Sequence, residues 1–110
     1  MAKEPIDQSI ERVAAALRSG NLSAVELAES AIASHGQHGQ RLHAYRAFDS
    51  ESARRAARTA DERLQRGDAP PFCGIPVSVK DLYGVSGFDT FAGSARALPA
   101  PWTQDAWLVA

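Results

Sequence analysis

The chain has a single cysteine, Cys73, in 110 residues, which excludes an internal disulfide. It has no excess of one charge: 12 Lys and Arg stand against 13 Asp and Glu, a formal net charge of −1. That balance gives no electrostatic reason to expect nucleic acid or an anionic membrane as a partner. No apolar run approaches the ~20 residues that span a bilayer. The opening MAKEPIDQSIERV contains no apolar stretch of the kind that makes a secretory signal. Repeats and low-complexity tracts are also missing. What is present is an ordinary globular composition, 45% apolar and 23% charged, with chain enough for one modest core. These totals fit a cytoplasmic protein.

Ile6, Ile10, Val13, Ala14 and Leu17 recur at helical spacing, which predicts a helix over 6–19 stopped by Gly20 in a left-handed cap. Ser23 followed by Glu26 reads as a capping box, with Leu22 and Leu27 at the staple positions. The helix it opens is expected over 24–34, completing a helical pair over about 6–34. HGQHGQ, residues 35–40, is a turn, and LHAYRAF reads as a short strand over 42–48. Asp49 is a fitting N-cap for a third helix over 50–66, with Ala53, Ala56, Ala57, Ala60 and Leu64 as its apolar stripe. Arg54, Arg55, Arg58 and Arg63 alternate with Glu51, Asp61 and Glu62 on its other face. That mixed-sign pattern is a solvated surface before it is a phosphate site.

Gly67 closes this strand–helix stretch of about 42–66, and a second strand follows over 75–80. The chain then winds through glycines and prolines to residue 101, with a short strand expected near Thr90 and Phe91. Long irregular segments of this kind tend to carry function. Residues 103–110 look like a helix that has only begun, capped by Thr103 or Asp105 and too short to hold itself. The chain is therefore expected to be the N-terminal piece of a longer protein.

His35, His38 and His43 do not make a metal centre on this reading. His35 and His38 lie in a Gly/Gln-rich turn without the Cys, Asp or Glu needed to complete a ligand set. Cys73 has no activating base nearby in sequence, and GVSG at 84–87 matches no phosphate-binding fingerprint. The sharper feature is GIPVSVKD, residues 74–81, an apolar strand that ends in Lys80 and Asp81. A lysine there is ordinarily an exposed end-of-strand residue. If it instead faced a cleft, desolvation would disfavour its ammonium, and the neutral amine could take a proton from a hydroxyl. Ser78, Ser86 and Ser94 are within sequence reach, none in a nucleophile-elbow context.

GIPVSVKDLYGVSGFDTFAGS, residues 74–94, resembles the amidase signature family around its catalytic lysine. LRSGNLSAVELAESAIA is similar to that family's N-terminal helical pair. RLHAYRAF is similar to its Arg-Leu-Asn-Ala strand, with His43 at the Asn position, and DAWLVA to the start of its next helix. The resemblance implies an α/β fold, a mixed sheet covered by helices, of which residues 1–110 are the N-terminal portion truncated after the first helices and strands. The lysine-motif strand and loop would occupy 72–101.

It also implies amide hydrolysis by a Ser–cis-Ser–Lys triad in the full-length protein, with Lys80 as the catalytic lysine and no cofactor. Gly74 and Pro76 match shape-setting positions of the structural motif, and Asp81, Gly93 and Ser94 match positions of structural or pocket-lining kind. Tyr83, Phe88 and Phe91 are candidate substrate contacts. Neither triad serine matches any position here, so this chain alone is expected to be inactive. The implied partner is a small carboxamide, with no direct nucleic-acid or membrane contact, and the resemblance allows a homodimer of the full-length enzyme. Two alternatives stand beside this: the catalytic subunit of a glutamine-dependent tRNA amidotransferase, and a non-catalytic association fragment.

Overall fold

Local capping chemistry sets where the helices begin and end. In the computed structural model, which describes residues 3–110, the first turn is a 3-10 turn at Pro5–Asp7. Gln8 is then extended, and helix α1 spans Ile10–Ser19. The helix expected from residue 6 is thus shorter. Ser9 supplies the reason, since its hydroxyl accepts the Arg12 N–H at 3.4 Å and makes Ser9 the N-cap. Gly20 ends α1 at φ 78°, where a left-handed backbone favours glycine.

Helix α2, Ala24–Ser34, occupies the expected span. The Ser23 hydroxyl accepts the Glu26 N–H at 3.0 Å, and the Glu26 carboxylate accepts the Ser23 N–H at 2.8 Å. Helix α3, Ser50–Arg66, also has its expected bounds, capped by Asp49 and closed by Gly67 at φ 80°. From α3, Asp61 reaches across and accepts the Ala24 and Val25 N–H groups at 2.6 and 3.2 Å. Every backbone donor from Ser23 to Glu26 therefore has a carboxylate or hydroxyl partner, and the negative charge sits at the positive end of α2.

The helices meet over Val13, Leu17, Ala24, Leu27, Ala28 and Ala57. Leu22, Val25, Ala60, Leu64 and Ile75 pack against this core. Ala56, expected on the apolar stripe, is exposed. On the polar side Arg54 binds Glu29 of α2 through Nε and Nη2 at 2.5 and 3.1 Å and Glu51 at 2.5 Å. The arginine face is at this point a link between α2 and α3. The bond from Arg54 lowers the pKa of Glu29, and Glu29 and then Glu51 raise that of Arg54.

Both longer strands expected from the pattern are absent, as is the one near Thr90 and Phe91: among the described residues the structure is helices and turns only. Residues 35–39 continue α2 as a π-helical turn, His35–Gly39. The stretch LHAYRAF then folds back instead of extending, with His43 at φ 50°. Phe48 stacks on the His35 ring at 3.9 Å between centroids, and Tyr45 meets it edge-on at 5.3 Å. Residues 75–80 run without a ladder, and Val77 is 79% exposed. A strand is held by a neighbour's backbone, and no described segment offers one. The helix expected over 103–110 is likewise reduced to turns, with the Val109 and Ala110 N–H groups both donating to the Ala106 carbonyl. One turn lacks the length that offsets helix nucleation.

The chain divides into two compact units, Met1–Pro76 and Val77–Ala110. The first holds the helices and their core. The second is built of turns.

Candidate functional site

Gly74 and Pro76 belong to the first unit, and Lys80, Asp81, Gly93 and Ser94 to the second. Gly74 has φ 85° and sits against Ala24, Leu17 and Leu64, so its role is to let the chain pass close over the helical core. Pro76 is exposed.

Lys80 ends the irregular stretch 75–80 and is exposed. Its carbonyl accepts the Leu82 and Tyr83 N–H groups at 2.6 and 3.1 Å, so the chain turns sharply just after it. The burial on which the general-base reading depends is not supplied by the described residues. Asp81 accepts the Phe91 N–H at 2.8 Å, tying the residue after the lysine to the middle of the loop. There Ala92 at φ 49° and Gly93 at φ 79° form a reverse turn closed by the Ser94 N–H on the Phe91 carbonyl at 2.8 Å. Two consecutive left-handed residues are the signature of a type I′ turn, which explains a glycine at position 93. The Ser94 hydroxyl accepts the Arg96 N–H at 3.2 Å and is occupied in that turn. Ser78 and Ser86 are exposed.

Thr90, which the sequence marked only as part of a short strand and of the 74–94 stretch, is the structural centre of this unit. It is 2% exposed, its hydroxyl donates to the Trp102 carbonyl at 2.9 Å, and its carbonyl accepts the Leu98 N–H at 2.8 Å. Gly84 is buried, accepts the Ala106 N–H at 2.9 Å and leaves no room for a Cβ against the Gln104 carbonyl. Asp105, read from sequence as a helix cap, instead accepts the Ser86 N–H at 2.7 Å. Together these bonds shape a cleft of about 260 Å³ lined by Tyr83, Gly84, Pro101, Trp102, Gln104, Asp105 and Ala106. Of the three aromatic candidates only Tyr83 lines it; Phe88 and Phe91 are half-buried elsewhere. Among the described residues no group of three or more His, Cys, Asp or Glu side chains converges as a metal site. No helix among them is long and apolar enough to cross a membrane.

Comparison with known proteins places these residues. The family model for Amidase matches residues 26–110, the whole of the lysine motif included. The chain belongs to the amidase family. It is 46% identical over 103 residues to 2-amino-5-chloromuconic acid deaminase of Comamonas testosteroni, covering 93% of this chain and 22% of that protein. It is 42% identical over 86 residues to the glutamyl-tRNA(Gln) amidotransferase A-subunit of Desulfotalea psychrophila, covering 78% of this chain and 18% of that one. The corresponding protein of Halorhodospira halophila is 34% identical over 102 residues, covering 93% of this chain and 21% of the relative. The chain thus spans about a fifth of the length of these curated relatives. No solved structure matches it. The amidase family fits an α/β fold, and the described residues contribute helices and turns to it, without a strand.

Proposed function

We propose that this chain carries the lysine of a carbon–nitrogen hydrolase that works by a Ser–cis-Ser–Lys mechanism in a protein of its relatives' length. The observation that carries the reading is the family match over 26–110, which encloses GIPVSVKD and Lys80. In that mechanism the Lys80 amine draws a proton, through a bridging serine, from the serine that attacks the amide carbonyl. The same proton then goes to the leaving amine, so one group serves as base and acid in one cycle. Ser78, Ser86 and Ser94 take neither serine role, and no cofactor enters. Exposed Lys80 needs the rest of such a protein to cover it. The 110 residues alone therefore hydrolyse no amide.

A chimera tests this. Residues of this chain replace the matching stretch of the Comamonas testosteroni deaminase, and release of ammonia is followed. Lys80→Ala is expected to lower turnover by roughly 10²–10⁴-fold, the usual worth of a positioned proton-transfer group, while Ser78→Ala leaves it unchanged. Full turnover in the Lys80→Ala chimera rules out the lysine role. Turnover of a simple carboxamide by the isolated chain, lost in its own Lys80→Ala variant, rules out the inactivity of the lone chain.

A second reading, favoured by the 42% identity to an amidotransferase component, makes the parent protein the ammonia-releasing part of an amidotransferase. Glutamine would then be the preferred substrate, with turnover dependent on added partner proteins. A preference for small carboxamides without partners excludes it.

A further inference from the structure

We propose that the cleft between Tyr83 and Asp105 binds a small organic cation, a quaternary ammonium or protonated amine. The lining carries one formal charge, the Asp105 carboxylate, and no Lys or Arg. Its two aromatic side chains, Tyr83 and Trp102, are 39% and 44% exposed, so their rings are available to a ligand instead of filling a core. Aromatic faces beside a carboxylate attract a cation through the ring quadrupole and the full charge together. Asp105 is oriented in advance: one oxygen accepts the Ser86 N–H, and the other takes no protein donor among the described residues. The backbone carrying the rings is also fixed, Trp102 through the Thr90 hydroxyl on its carbonyl and the Tyr83 side through the bond between Gly84 and Ala106. Groups held before the ligand arrives lose little freedom on binding it. A volume of about 260 Å³ suits a small ligand. This site is independent of the lysine chemistry.

The Trp107→Phe variant tests the proposal, because it removes an 89% exposed side chain and leaves Trp102 as the sole tryptophan. Tetramethylammonium chloride titrated into this variant is expected to change Trp102 fluorescence saturably at millimolar concentrations. Tert-butyl alcohol, similar in size and neutral, and sodium chloride at matched ionic strength are expected to give no saturable change. Asp105→Asn keeps an oxygen for the Ser86 N–H and loses the charge, and is expected to weaken binding about tenfold. Equal binding of the alcohol, a response matched by sodium chloride, or unchanged affinity in Asp105→Asn overturns the proposal. If Asp105→Asn loses the amide resonances of residues 77–110, Tyr83→Leu decides by the same criterion.

Discussion

Gly74 shows how much one position can carry when its backbone and its surroundings both exclude a side chain. A Cβ there would lie 3.1 Å from the Ala24 Cβ, 3.3 Å from Leu17 Cδ1 and 3.4 Å from Leu64 Cδ1. It would also have to adopt φ 85°. Gly20 has a similar φ, 78°, with nothing within 4 Å, so it isolates the backbone cost from the crowding. Gly74→Ala is expected to lower the unfolding free energy by about 2 kcal/mol, part from the left-handed backbone and part from the overfilled core. Gly20→Ala should lower it by about 1 kcal/mol, the backbone part alone. Urea denaturation followed by far-UV circular dichroism measures both. Equal losses in the two variants would show that Gly74 is held by its backbone alone. The sequence marked Gly74 only through its resemblance to a motif. The three side chains that exclude a substituent come from α1, α2 and α3, and no local pattern announces their convergence.

Helix boundaries were legible because capping is local chemistry. Ser23 with Glu26, Asp49, Gly20 and Gly67 all act where the sequence put them. Ser9 also signals locally, but the apolar spacing of Ile6 and Ile10 hid it. The expected strands were not legible as false, because a ladder depends on residues remote in sequence. Their apolar alternation describes a face that needs a neighbour, not a neighbour that is present.

The caps also predict an acid response. Hydrogen bonds lower the pKa of Glu26, first from the Ser23 N–H and then from its hydroxyl, and that of Asp49, first from the Ser52 N–H. Glu29 is lowered by the bond from Arg54. A carboxylate whose pKa is lower in the folded state stabilises the fold above its unfolded value. That contribution fades as pH falls through the folded value. Helical ellipticity should therefore hold from neutral pH down to about pH 5. It should decline below the ordinary values of 4.5 for Glu and 3.8 for Asp. Glu26→Gln, which keeps an acceptor and removes one titration, should make the decline shallower. A loss of ellipticity between neutral pH and about pH 5 would place the control elsewhere.

At the scale of the whole molecule, the family was legible and the site's surroundings were not. The motif 74–94 carries enough specific residues to identify an amidase-family chain, yet Lys80 is exposed, and its covering is not written beside it. The cleft was equally hidden, since Asp105 reaches Ser86 and Thr90 reaches Trp102 across turns that no periodicity encodes. Among the described residues, every α-helix, the core and the Asp61 clasp lie within Met1–Pro76. A chain ending at Pro76 should therefore keep the helical ellipticity, per molecule, of the 110-residue chain. Its thermal midpoint should shift by no more than about 5 °C, the effect of roughly 1 kcal/mol in a domain of this size. Circular dichroism on the two chains at equal molar concentration makes the comparison. Collapse of the helical signal in the shorter chain would mean that the second unit is required for the first to fold. Retention would locate the helix-forming information entirely within the first 76 residues.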